Sequence, residues 1–176
     1  MNYENLMTVM RRLALEAGDV IMDIYETNDF SVNVKSDNSP VTAADEAADQ
    51  LISAGLRAAF PNVALVTEEQ SVSHGARADV FLIVDPLDGT KEFIHRRGDF
   101  TVNIAYIEHG VPTRGIVYAP AKGRLFYTLA NGQSVEEIGE FDKNQAAPTQ
   151  PIRVNHAENT ALMVVPAKSQ PDRQTD

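Results

Sequence analysis

Apolar and polar residues near the start of the chain alternate with the period of an α-helix. Between residues 4 and 26 the apolar positions recur three or four apart, and polar side chains such as Arg11 fall between them. This spacing predicts an amphipathic helix over residues 4–26 whose apolar stripe lies in the core. A second helix is predicted to begin at the capping-box pattern of Thr42 and Asp45 and to end at Pro61-Asn62.

Between and after these helices the pattern becomes that of β-strands. Residues 30–35 alternate between apolar and polar side chains, which predicts a half-buried strand. The polar stretch 139–151 is predicted to be a loop, followed by short strands near 152–154 and 162–165. Turn residues separate the other apolar stretches, which predict strands over residues 63–66, 80–84, 100–107, 115–118 and 125–129.

The turns between the later strands indicate the fold class. Those at residues 108–110 and 121–123 are short enough to join antiparallel neighbours, and Asn131-Gly132 is predicted to mark the exit from the last strand of this meander. The predicted architecture is α+β, with two N-terminal helices packed on a mainly antiparallel sheet.

Composition and charge narrow the chemistry that such a fold can support. The 176 residues are 43% hydrophobic and 23% charged, as in an ordinary folded domain. The formal charge of −10 argues against binding to nucleic acid, because phosphate-driven binding needs a basic face. Cysteine is absent, so oxygen and imidazole groups are the available metal ligands and a hard cation is the natural metal.

The sequence also bears on location. Its longest strongly apolar run, residues 80–84, is too short to span a bilayer, and the N-terminal segment lacks the pattern of a secretion signal. We expect a cytoplasmic protein without a transmembrane segment, with the periphery of the inner membrane as an alternative place.

The segment at residues 85–90, Asp-Pro-Leu-Asp-Gly-Thr, carries the strongest indication of chemistry because it directly follows an apolar strand. A proline that fixes φ and a glycine that permits close approach allow Asp85 and Asp88 to converge on one point. Thr90 is predicted to start a short helical turn whose free N–H groups face an anion. The alternative is an ordinary tight turn, in which Asp, Pro and Gly are common.

Two further carboxylates have both functional and ordinary explanations. Glu68 and Glu69 end the preceding strand, so one of them meets Asp85 if the two strands are neighbours; an exposed acidic pair is the alternative. Asp45 is a candidate for the same site, although it also completes the capping box. Lys35 is better explained as a solvated strand end than as a phosphate ligand.

Taken together, these segments resemble a known family. The order and spacing of residues 41–45, 67–69 and 85–90 are similar to those of the inositol monophosphatase superfamily. Residues 91–94, 98–105 and 115–120 resemble more specifically its branch of CysQ-type 3′(2′),5′-bisphosphate nucleotidases. The resemblance extends from the first helix to Val165.

This resemblance implies a metal centre with two or more Mg²⁺ ions in the complete site. Glu68, Asp85 and the backbone carbonyl of Leu87 would hold the first ion, and Asp85 with Asp88 would hold the second. Hard oxygen ligands of this kind are those that Mg²⁺ prefers.

The resemblance also implies catalytic roles. Thr90, hydrogen-bonded to Asp45, would help to take the proton of a nucleophilic water, and Glu68 belongs to the same catalytic group. The backbone N–H groups of Gly89 and Thr90 would hold the phosphate. Substrate contacts are expected from Glu68, Leu87, Asp88, Gly89 and Thr90.

The resemblance further implies a second α/β domain that is largely absent here. The superfamily completes its site with a Trp-Asp motif in that domain, and this sequence has no tryptophan. We therefore expect residues 1–155 to form the N-terminal metal-binding domain and residues 156–176 to start the second. An uncovered apolar face would favour a homo-oligomer.

The implied reaction is hydrolysis of the 3′-phosphate of 3′-phosphoadenosine 5′-phosphate to AMP and phosphate, which supports sulfur assimilation. One alternative is activity on inositol monophosphate. The other is a domain that binds metal and phosphate without turnover, because the segment that completes the site is missing.

Overall fold

A computed structural model of the chain describes residues 1–26, 32–34, 40–68 and 78–152. The predicted strand near 162–165, the expected domain boundary at 155, Glu69 and Lys35 lie outside these residues. The helices are α1 (Tyr3–Glu26), α2 (Ala43–Ala59) and the short α3 (Thr90–Ile94), with a 3₁₀ turn at Pro120–Lys122. The strands are β1 (Val32–Val34), β2 (Pro40–Thr42), β3 (Ala64–Thr67), β4 (Val80–Asp88), β5 (Thr101–Glu108), β6 (Val111–Ala119), β7 (Arg124–Thr128), β8 (Ser134–Glu137) and β9 (Thr149–Pro151).

The larger sheet has seven strands in the order of the sequence, from β3 to β9. Only the first pair, β3 with β4, is parallel, and the other pairs are antiparallel. The prediction of two helices on a mainly antiparallel sheet is therefore confirmed. Strands β1 and β2 form a separate antiparallel pair.

The two long helices cover one face of this sheet. Helix α1 packs against β5 and β6, and α2 packs against β3 and β4. Leu82 and Val84 of β4 are buried on the helix-covered face, whereas Ile83 between them is 41% exposed on the opposite face. Gly55 lets α2 approach α1, since a Cβ there would lie 2.4 Å from a methyl carbon of Leu13.

Arg11 is one of the polar residues that fall between the apolar positions of the first helix, yet it does not lie on the surface. Its side chain is buried and forms a salt bridge with Glu137 of β8, with 2.7 Å between Nε and Oε2. Arg11 also donates from Nη1 to the carbonyl of Asp142, and Glu137 accepts from the backbone N–H of Ala147. This paired charge ties α1 to the far end of the sheet, which a helical pattern alone could not indicate.

The end of the meander also differs from prediction. Asn131-Gly132 does not mark an exit but lies in the turn from β7 to β8, a strand that the sequence pattern missed. Part of the predicted loop 139–151 forms β9, which pairs with β8. Strand β8 is short and contains two glutamates, which are depleted in strands, so its pattern is weak. Of the residues near 152–154 that were predicted to form a strand, only Ile152 is described, and it follows β9 without belonging to a strand.

Candidate active site

The parallel pairing of β3 and β4 brings two predicted site residues together. Thr67 is paired with Val84, and the backbone N–H of Glu68 donates to the carbonyl of Val84 at 3.1 Å. Glu68 therefore follows its strand beside Asp85, and its negative charge acts on the Asp85 carboxyl group. The predicted adjacency of these strands is confirmed, because the two parallel strands end at the same edge.

Asp85 carries the most strongly perturbed carboxyl group of this region. Burial, followed by the negative charges of Glu68 and Asp88, raises its pKa from 3.8 to about 7. The backbone N–H of Leu87 acts in the opposite direction. One carboxylate oxygen of Asp85, Oδ1, is buried and accepts no hydrogen bond. A crowded, poorly solvated carboxylate of this kind is stabilised by a proton or by a cation.

Residues 85–88 do not form the ordinary tight turn that was the alternative explanation of this segment. Strand β4 continues to Asp88, and its pairing with β5 shifts between Asp85, which faces Asn103, and Asp88, which faces Thr101. Three steps along β4 thus match two along β5, which defines a β-bulge. Pro86 lies inside the bulge, where its missing N–H costs no ladder hydrogen bond.

Gly89 connects this bulge to α3, which starts at Thr90 as predicted. Its φ of 96° is in the left-handed region, and a Cβ there would lie 2.7 Å from the carbonyl oxygen of Asp99. The hydroxyl of Thr90 donates to the carbonyl of Leu87 at 3.2 Å. The left-handed backbone of Gly89 and the hydrogen bond of Thr90 therefore both fix the conformation of residues 87–90, the glycine corner.

We expect Gly89→Ala to lower the free energy of unfolding by about 2–4 kcal/mol, because it adds a steric clash to the cost of a left-handed alanine. Gly110→Ala is the matched control: its φ of 78° is similar, but nothing lies within 4 Å of a Cβ there. The control should lose only about 1 kcal/mol. Urea unfolding of both variants measures the difference, and equal losses would contradict the role of the close backbone contact.

Asp45 lies in the first turn of α2, which packs on β3 and β4, and its side chain is only 2% exposed. The buried position suits a group that acts on a neighbour rather than on bulk solvent. Its predicted hydrogen bond with Thr90 stays a prediction, as do the catalytic roles of both residues.

Asn103 is a site residue that the sequence reasoning missed. It lies on β5 opposite Asp85, and its Nδ2 donates to Oδ2 of Asp88 at 3.2 Å. The available signal was a single amide between the apolar residues Val102 and Ile104. Such a residue is unfavourable in a strand and suggests a local purpose.

The carboxylates fit a hard cation in kind, because they offer oxygen ligands and a buried oxygen without a donor. Within the described part of the chain, no three acidic or histidine side chains are arranged as a ready-made ligand set. A cation would therefore have to draw Glu68 and Asp88 towards Asp85. The predicted ligands Glu68, Asp85, Leu87 and Asp88 all lie in this one corner of the sheet.

An open groove of about 420 Å³ begins at this corner and runs across the uncovered face of the sheet. Asp85 and Asn103 line one end of it, and the rest is mainly apolar, with Val117, Phe126 and Ile152 among its walls. Val117 and Ile152 are each 42% exposed. The groove therefore presents apolar surface to solvent.

Carboxylates that meet at the ends of two strands, beside the glycine corner at residues 87–90, are expected in proteins that bind a metal ion and phosphate together. The sequence comparison is consistent with this class, since residues 2–176 match the inositol monophosphatase family. The chain belongs to the inositol monophosphatase family.

The chain aligns with only part of each individual relative. The chain is 46% identical over 144 residues to the 3′(2′),5′-bisphosphate nucleotidase CysQ of Escherichia coli (strain K12), which covers 80% of this chain and 58% of that protein. It is 37% identical over 135 residues to the Nus factor SuhB of Salmonella typhimurium (strain 14028s / SGSC 2262), covering 76% and 50%. The solved structure of CysQ from Bacteroides thetaiotaomicron, 38% identical, superposes with a TM-score of 0.63 over 78% of this chain and 50% of that one. The chain thus spans between 50% and 58% of the length of these relatives.

Proposed function

We propose that this chain carries the metal-binding half of the active site of a Mg²⁺-dependent phosphomonoesterase. The observation that carries the proposal is the meeting of Glu68, Asp85 and Asp88 at one edge of the sheet, where Asp85 has a pKa raised to about 7. In a protein of this family, acidic groups that destabilise one another in this way are best explained as the ligands of a cation.

In this proposal Glu68, Asp85 and the carbonyl of Leu87 would hold one Mg²⁺, and Asp85 with Asp88 would hold a second. When bound, the metal would supply positive charge that stabilises the phosphoryl group and the leaving oxygen. The three carboxylates and the Leu87 carbonyl would position that charge, and the mutual repulsion of the carboxylates would be relieved by it.

The remaining residues of the site act on the water and on the phosphate. Thr90 and Asp45 would take the proton of the attacking water, with Glu68 beside them. The backbone N–H groups of Gly89 and Thr90 would donate to the phosphate oxygens. The left-handed conformation of Gly89 would leave these N–H groups accessible. The phosphate would then contact Glu68, Leu87 and Asp88 in the same corner.

The substrate proposed is 3′-phosphoadenosine 5′-phosphate, cleaved to AMP and phosphate in the service of sulfur assimilation. The support is the similarity to the Escherichia coli protein that is named 3′(2′),5′-bisphosphate nucleotidase CysQ. Activity on inositol monophosphate is the second candidate, because solved inositol monophosphatases share the fold, including one from Thermotoga maritima at 28% identity with a TM-score of 0.64. A metal- and phosphate-binding domain without turnover is the third.

The location of the protein and its assembly are two further proposals. No helix in the described residues is long and apolar enough to cross a membrane. A cytoplasmic location, with the inner-membrane periphery as the alternative, stays a proposal. The exposed apolar side chains Ile83, Val117 and Ile152 on the open face support the proposal of a homo-oligomer.

We expect this chain to release phosphate from 3′-phosphoadenosine 5′-phosphate when Mg²⁺ is present, and to lose that release when EDTA is added. Inositol 1-phosphate, tested in parallel, separates the two substrate proposals by their kcat/KM values. Asp85→Asn should abolish release, whereas Asp79→Asn, which makes the same charge change before the other end of β4, should retain it. Metal binding without release from either substrate would favour the domain without turnover.

A further inference from the structure

The Asn103 amide lies between the two aspartates proposed as metal ligands, although none of the roles assigned above uses it. It is paired with Asp85 across the β4–β5 ladder, and its Nδ2 donates to Asp88. Directly opposite residues in an antiparallel pair have Cβ atoms only about 5 Å apart. One side chain therefore adjoins both carboxylates.

The amide of Asn103 counteracts the repulsion between the carboxylates of Asp85 and Asp88. Asp85 and Asp88 are carboxylates at the two ends of one β-bulge, where they face Asn103 and Thr101 of β5, so their like charges would turn an unrestrained Asp88 away from Asp85. A lysine or arginine could hold Asp88 but would compete with a bound cation. A neutral N–H donor restrains the carboxylate without adding positive charge.

A purely structural role does not account for this residue. Asparagine is depleted in strand interiors, and the Oδ1 of Asn103 is buried without a hydrogen-bond donor. Buried polar atoms in native structures normally have a partner, so this amide costs stability where it stands. Such a cost is expected where a residue serves a site rather than the fold.

We propose that Asn103 is a positioning residue of the metal centre, which holds Asp88 beside Asp85 through its amide N–H and thereby raises the affinity for Mg²⁺. The inference rests on the proposed function for the identity of the ligands. It adds a residue from β5 to a site otherwise built from β3, β4 and the segment that follows them.

The test measures Mg²⁺ binding by isothermal titration calorimetry, together with the urea stability of the metal-free protein. Asn103→Val removes the donor and suits a strand, so we expect at least about a tenfold weaker Mg²⁺ affinity with no loss of stability. Asn103→Gln keeps an amide one methylene further out and should recover part of the affinity. Val117→Thr, the next residue in the same row across the sheet, is the control and should leave the affinity unchanged.

Wild-type affinity in Asn103→Val would overturn the proposal. So would a loss of affinity that accompanies a loss of stability and is not recovered by Asn103→Gln, since that pattern belongs to a structural residue. The readout needs no turnover: a wild-type chain that binds Mg²⁺ but releases no phosphate counts against the proposed reaction alone. A wild-type chain that binds no Mg²⁺ overturns both.

Discussion

Replacing Arg11 with alanine lowers the free energy of unfolding of this chain by about 3–5 kcal/mol, enough to unfold many domains of this size. The reason is that the substitution leaves the Glu137 carboxylate charged, buried and without its cation. Both side chains are almost fully buried, and the guanidinium donates to both carboxylate oxygens, from Nε and from Nη2. The carbonyl of Asp142 would also lose its donor.

Arg12 provides a matched control one residue along the same helix. It forms a partly exposed pair with Glu16, four residues on, and the chain should lose no more than about 0.5 kcal/mol when Arg12 is replaced by alanine. The double variant Arg11→Met with Glu137→Leu should recover most of the loss, since it removes both charges and keeps the volume. Chemical denaturation of the four proteins decides the matter. An Arg11→Ala variant that unfolds at the wild-type denaturant concentration would show that the buried pair does not hold α1 to β8.

Replacing Asp85 with asparagine is expected to stabilise the metal-free chain at pH 8, while it removes the carboxylate proposed as the shared ligand of the metal centre. In the folded chain the pKa of Asp85 is raised from 3.8 to about 7, so the folded state holds its proton more tightly than the unfolded state does. The resulting cost is absent below about pH 3.8, grows as the pH rises, and is present in full above about pH 7. Since the group is only partly buried and is screened by solvent, we expect a gain of about 1–2 kcal/mol.

The pH dependence separates this effect from an unspecific change. The stability difference between Asp85→Asn and wild type should be largest at pH 8 and should shrink towards pH 5, where the wild-type carboxyl is protonated. Asp79→Asn, an exposed charge before the other end of the same strand, should show no such dependence. A pH-independent difference for Asp85→Asn would mean that the carboxylate is not strained in the folded chain.

The sequence predicted the parts of the fold in which one pattern dominates. The first helix, predicted over residues 4–26, spans Tyr3–Glu26, and the second ends at Ala59, just before the predicted stop at Pro61-Asn62. The apolar run before Asp85 had one reasonable structure, a buried strand. Strand β8 was missed because four residues with two glutamates carry little signal, and its buried glutamate is explained only by Arg11, which lies 126 positions away along the chain.

The candidate site likewise contains residues that the sequence pattern indicates and residues that only the strand register reveals. Glu68, Asp85, Asp88 and Gly89 stand out because they follow strands at turn-like positions. The bulge at residues 85–88 could not be predicted, because it depends on how β4 aligns with β5. Asn103 was missed for the same reason, since only the register of that pair places its amide beside two aspartates.

The measurement that tests the central claim most directly is a Mg²⁺ titration of the metal-free chain at pH 8, followed by calorimetry, for the wild type, Asp85→Asn and Asp79→Asn. If Asp85 is the shared ligand of a metal centre, the wild type and Asp79→Asn bind Mg²⁺ with the same affinity and Asp85→Asn binds at least about a hundredfold more weakly. Equal Mg²⁺ affinity in all three proteins, or none in the wild type, would contradict the assignment of this corner as the metal centre.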